Sequence, residues 1–129
     1  MNLEAKFFTA GTGVEVPPDD LDKAGARIMT LQRAATVRGM MDPDGKMGCN
    51  DMRNVHDVIT EWVFTKDPDK QPFTEGTDKM DRDDWNKALE MTYAKFGWDE
   101  KLGCPTKDCL DYYGMADVKD ELSSLNLLP

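Results

Sequence analysis

The sequence predicts an all-α fold, a compact bundle of about five helices with one long loop, and three observations carry that expectation. Apolar residues recur at spacings of three and four. Proline, aspartate and glycine stand where helices start and stop, and no run alternates with period two over a useful length. A chain of 129 residues is long enough for one domain with a real core and too short for two of ordinary size. Residues 1–129 are therefore expected to form a single helical domain.

The first element is a short segment from Leu3 to Ala10 that carries Leu3, Phe7 and Phe8 and stops at "GTG". The second is the most secure helix. Pro17 and Pro18 suit a first turn whose amides have no partner, and Asp19, Asp20 and Asp22 complement the positive end of the dipole. Leu21, Ala24, Ile28, Leu31 and Ala35 then fall on one stripe, which the pattern assigns to the core.

A turn-rich connector follows, "DPDGKMGCND". Asp42, Asp44 and Gly45 echo the third, fifth and sixth positions of a calcium loop, but Met40 would hold position one and Asp51 would replace the bidentate glutamate. A proline-aspartate-glycine turn explains the stretch with less. Asn50 or Asp51 then caps a third helix, on which Met52, Val55, Ile59 and Trp62 repeat the apolar stripe.

Thr65 to Lys79, "TKDPDKQPFTEGTDK", reads as an exposed loop of about fifteen residues, longer than most connections in compact domains. Asp81 caps the next helix with Asp84 as its capping-box partner, and Trp85, Leu89, Tyr93 and Phe96 form an aromatic core stripe that ends at Gly97. Two short helices close the chain. Pro105 and Thr106 start the first and Gly114 stops it, while Met115, Val118, Leu122 and Leu125 line the second.

Chemistry-bearing residues are few. A structural zinc needs four ligands, so Cys49, His56, Cys104 and Cys109 would all be recruited. Their spacings are poor, and a proline and a helix start interrupt the cysteine pair. Packed thiols and a partly exposed histidine account for them better. The sole histidine must serve any nucleophilic scheme, and no glycine elbow or cysteine motif brackets it. "GTG" is neither a P-loop nor a dinucleotide fingerprint. No catalytic, cofactor-binding or metal-binding residue is therefore expected in this chain.

A formal net charge of -9 with a pI near 4.5 disfavours nucleic acid, whose phosphates need clustered lysine and arginine. No apolar run approaches the length of a membrane span, and the N-terminal residues lack the pattern of a secretory signal. Three cysteines, an odd number, argue against a disulfide scaffold. The expected compartment is the cytoplasm.

Two ordered patterns add a resemblance. Thr12 and Gly13 lead into a helix bearing Leu21, Gly25, Arg27, Ile28, Leu31, Arg33 and Arg38. Tyr93, Gly97, Trp98, Asp99, Gly103, Pro105, Thr106, Leu110, Gly114 and Met115 form the second pattern. Together they resemble the C-terminal portion of the tungsten-dependent aldehyde ferredoxin oxidoreductases, which use G-E-R-I-x-N-L-x-R-x-x-N-x-R and then G-W-D and G-x-P-T. Ala26 and Thr36 depart from the first pattern. In such enzymes the G-x-P-T stretch is a turn entering a helix, so Cys104 and Cys109 are expected to be structural.

The resemblance implies a full-length enzyme that oxidises aldehydes or related carbonyl compounds with ferredoxin as acceptor. It implies a tungsten or molybdenum bis-pterin and a [4Fe-4S] cluster there. Neither the C-x2-C-x3-C run nor a β-rich domain is present, and the sequence is expected to begin just after the last cluster ligand. This chain is then a structural part whose partners are the upstream cofactor-binding domains. Leu3, Phe7, Phe8, Met29, Val37 and Met40 are expected to face those domains. The alternative is a free-standing acidic helical interaction module that binds a partner through the Thr65–Lys79 loop or an exposed apolar helix face.

Overall fold

The computed structural model describes residues 3–64 and 81–129, apart from the side chain of Trp62. The Thr65–Lys79 loop and the Trp62 part of the predicted stripe lie outside the described residues. Among the described residues six helices run in the order α1 (Leu3–Thr12), α2 (Pro18–Gly39), α3 (Met52–Val55), α4 (Arg82–Phe96), α5 (Lys107–Tyr112) and α6 (Ala116–Ser124). A 3-10 turn spans Glu61–Phe64, and no strand occurs among the described residues. The all-α expectation holds, and the six helices follow in order the elements read from the sequence.

The helix ends follow the local chemistry. Pro17 is the N-cap of α2 and Pro18 its first residue, so their missing N–H groups fall where no acceptor exists. The carboxylate of Asp81 accepts from the amides of Asp83 and Asp84, and the hydroxyl of Thr106 accepts from the amide of Cys109. Gly97 ends α4 at φ 72°, a left-handed conformation that glycine enters without steric cost. In the connector, one oxygen of Asp42 accepts from the amides of Asp44 and Lys46. That carboxylate closes its own turn, as the turn reading of the connector expected.

Two helices differ from the reading of the sequence. The stripe over Met52, Val55, Ile59 and Trp62 predicted a full helix, yet α3 stops after four residues. The amides of His56 and Asp57 both turn back onto the carbonyl of Met52. Asp57 is thereby delivered to Arg33 of α2, 2.9 Å away through Nη1, and this long-range pair overrides the local pattern.

The second difference is the orientation of α2. Thr30, Arg33, Ala34 and Val37 are its buried residues, with Ala26 packed beside them. Ile28 at 58 % and Leu31 at 43 % are exposed, so the stripe assigned to the core faces outward. Periodicity identifies an amphipathic helix but not which face has a partner within the same chain. Here the inward face carries a guanidinium that Asp57 neutralises.

The core lies where α2, α4, α5 and α6 meet. Val37, Met52, Tyr93, Leu110, Met115 and Leu122 are each at most 1 % exposed. Leu89 and Phe96 pack against this cluster, while Trp85 is only half-buried at its edge. Leu125, assigned inward by its spacing, is 50 % exposed, and Leu127 takes its place inside.

Gly103 joins the core to the polar centre of the fold. Its φ is 71°, and a Cβ there would lie 2.8 Å from Cζ of Tyr93. Gly103→Ala is expected to cost about 2–4 kcal/mol, from the left-handed backbone and from displacement of the tyrosine ring. A fall in urea midpoint at unchanged slope is the readout.

Candidate functional site

Two features stand out beyond the apolar core, and they lie on opposite sides of α2. The inner one is a buried polar centre around Arg33, 8 % exposed. Its Nε donates to the carbonyl of Gly103 at 2.8 Å, Nη1 donates to Oδ1 of Asp57 at 2.9 Å, and Nη2 donates to Oδ2 of the same carboxylate. The guanidinium lies 4.6 Å from the Trp98 ring centroid. Tyr93 adds an O–H bond to Oδ2 of Asp57 at 2.6 Å, and Trp98 donates from Nε1 to Thr30 at 3.2 Å.

Four separate segments are thus tied by one network whose buried side-chain polar atoms all have partners among the described residues. Burial alone would raise the Asp57 carboxyl. Hydrogen bonds from Arg33, His56 and Tyr93 outweigh it and hold the group from 3.8 down to about 2. A carboxyl lowered on folding stabilises the fold fully above its unfolded value. That stability is lost as pH falls from near 3.8 through about 2. About 2 kcal/mol is expected to disappear over this window, and Asp57→Asn is expected to flatten that part of the stability-pH curve.

The centre has the chemistry of a clamp. Burial, then the bond to Asp57, pushes the Tyr93 phenol up, so it stays a donor. Burial pushes the Cys104 thiol up to about 12 and also raises Cys109, whose Sγ donates to the carbonyl of Phe96 at 3.1 Å. Neither thiol is poised as a thiolate nucleophile or ligand. His56, the sole histidine, bonds Asp57 through Nδ1 at 2.7 Å on the exposed edge of the network. Cys49 is buried elsewhere, its amide on the carbonyl of Val37. Among the described residues no three His, Cys, Asp or Glu side chains gather as a metal site.

The motif arginines share one task. Arg27 donates to the carbonyl of Tyr113 at 3.0 Å, Arg33 reaches Gly103, and Arg38 donates to Glu121 at 2.5 Å. Spaced along α2, they fasten it to the C-terminal half of the chain. The spacing of arginines was visible in the sequence; their partners Asp57, Gly103, Tyr113 and Glu121 were not, because each comes from a distant segment.

The outer feature is an apolar face. Leu3 at 58 %, Phe7 at 75 % and Phe8 at 39 % are exposed on α1, and Ile28, Met29 and Leu31 are exposed on α2. Of the six side chains expected to face other domains, Leu3, Phe7, Phe8 and Met29 do lie outward. Val37 does not: it is fully buried because it belongs to the Arg33 side of α2, and Met40 is half-buried against the core. Single exposed apolar residues are ordinary, whereas these lie on adjoining helices.

No helix among the described residues is long and apolar enough to cross a membrane. No solved structure matches the chain. A scan against protein-family sequence models does match, to "Aldehyde ferredoxin oxidoreductase, domains 2 & 3", over residues 1–115, a span that holds the three motif arginines, the Arg33 clamp and the outward face of α2. This chain therefore belongs to the aldehyde ferredoxin oxidoreductase family.

Proposed function

We propose that the chain is the C-terminal helical portion of an aldehyde ferredoxin oxidoreductase-like enzyme, a packing part that seats against the cofactor-bearing domains and turns over no substrate by itself. The outward apolar face of α1 and α2 carries this reading. α2 buries Thr30, Arg33, Ala34 and Val37 but leaves the Ile28 and Leu31 stripe exposed, and an uncovered aliphatic stripe contributes little, because burial of apolar area is what stabilises. It gains once a second surface covers that stripe.

The enzyme as a whole would oxidise aldehydes or related carbonyl compounds with ferredoxin as acceptor, using a tungsten or molybdenum bis-pterin and a [4Fe-4S] cluster. The donors of this chain do not fit those groups. Two of its thiols are buried with raised pKa, one of them already bonded to a carbonyl, and no three His, Cys, Asp or Glu side chains gather as a metal site among the described residues. Cofactor chemistry thus falls to the upstream domains, and this chain supplies part of their cover.

Co-purification tests the reading. The chain and the cofactor-bearing portion of the same enzyme, expressed separately and mixed, are expected to elute as one species. The chain alone is expected to give no aldehyde-dependent viologen reduction. Separate elution of the two parts, or viologen reduction by the chain by itself, would overturn it.

A further inference from the structure

We propose that the element covering the hollow between α1 and the first turns of α2 is an amphipathic helix whose apolar stripe is flanked by lysine or arginine. The inference rests on the reading of the chain as a packing part of a larger enzyme, and it specifies the chemistry of the surface that meets it.

The floor of the hollow is apolar, built from Phe8, Val16, Leu21, Ala24, Gly25 and Ile28. Its rim is acidic, with Glu4 from α1 and Asp20 and Asp22 from α2. None of these three carboxylates has a hydrogen-bond or ion-pair partner among the described residues. Arg33, Arg38, Arg53, Arg82 and Lys119 each meet a carboxylate of their own elsewhere, so none of them neutralises this rim. Glu4 and Asp20 sit in first helical turns and complement dipoles there, but Asp22 lies further along α2, and all three border one hollow. An apolar floor with an unpaired anionic rim is complementary to an apolar stripe with cationic flanks.

The shape favours a helix as occupant. The hollow continues along α2 into a second one lined by Leu21, Gly25, Ile28, Met29 and Phe96, so the surface follows α2 over about two turns. Leu21, Gly25 and Met29 form one four-residue ridge and Ala24 and Ile28 the next, with a groove between them that takes the ridge of another helix. Gly25 has nothing within 4 Å of where a Cβ would stand. A glycine inside a helix is less stable than alanine would be, and here it lets a second backbone come close. Lys95 borders the far hollow. Asp22 borders both hollows, so the cationic flank of the occupant lies over the Glu4, Asp20 and Asp22 side, and any acidic flank lies toward Lys95 on α4.

Two synthetic helical peptides of about 18 residues with the same leucine-alanine stripe, one flanked by lysine and one by glutamate, test the proposal by fluorescence anisotropy with this chain. The lysine peptide is expected to bind at least about tenfold more tightly in about 50 mM salt, and the advantage is expected to shrink in about 500 mM. The E4K/D20K/D22K variant is expected to reverse the preference. Equal affinities, tighter binding of the glutamate peptide, an advantage that salt does not reduce, or binding of neither peptide would overturn the proposal. Co-purification with the cofactor-bearing portion is scored separately. Its success beside a failed peptide preference removes only the charge assignment, while its failure removes the packing reading itself.

Discussion

Asp57→Ala is expected to destabilise the chain by about 3–5 kcal/mol, because it leaves a buried guanidinium without its counter-charge. Arg33 keeps its bond to Gly103, its 3.4 Å contact with Nδ1 of His56 and its contacts with the Trp98 and Tyr93 rings, none of which is a counter-charge, and the Tyr93 hydroxyl loses its acceptor. Domain stabilities are about 5–15 kcal/mol in all, so the loss is a large share of the total. The Arg38–Glu121 pair is the control. Its side chains are 59 % and 49 % exposed, so Glu121→Ala is expected to cost no more than about 1 kcal/mol. Urea denaturation of both variants separates the cases. A loss below about 1 kcal/mol for Asp57→Ala would mean that the clamp is not formed in solution.

Ile28→Glu is expected to leave the isolated chain within about 0.5 kcal/mol of its parent, since the side chain is 58 % exposed and glutamate is a good helix former. The same substitution is expected to weaken association with the cofactor-bearing portion by at least about a hundredfold. At a covered interface the carboxylate would be desolvated among aliphatic side chains without a partner. Denaturation of the chain and co-elution with its partner read the two halves separately. A variant that co-elutes like the parent would show that this face of α2 is not the one covered.

Much of the fold was legible in the sequence because its signals are local. The prolines before α2, the caps at Asp51, Asp81 and Thr106 and the glycine stop at Gly97 act through bonds within a few residues, and each works as its residue type requires. What failed was non-local. The α2 stripe has the right period, but its direction depends on Asp57, which lies 24 residues from Arg33. The third helix was read too long for the same reason, since the chain leaves the helical path at the residues that reach Arg33. Leu125 and Leu127 exchanged places because the amides of Leu125, Asn126 and Leu127 close the end of α6, and Asn126 takes a positive φ of 56°. The arginines of α2 were visible as a motif, but their partners at Gly103, Tyr113 and Glu121 could be found only once the helices were packed.

The central claim is that the outward face of α2 is an interior surface of a larger enzyme, and methionine oxidation tests it within the chain itself. Met29 is 47 % exposed on that face, whereas Met41 and Met47 are 60 % and 66 % exposed on the connector, away from it. Peroxide converts accessible thioethers to sulfoxides that mass spectrometry resolves residue by residue. In the isolated chain all three are expected to oxidise at similar rates. In the full-length enzyme Met29 is expected to react at least about tenfold more slowly, with Met41 and Met47 unchanged as internal standards. Oxidation of Met29 as fast in the full-length enzyme as in the isolated chain would contradict the account.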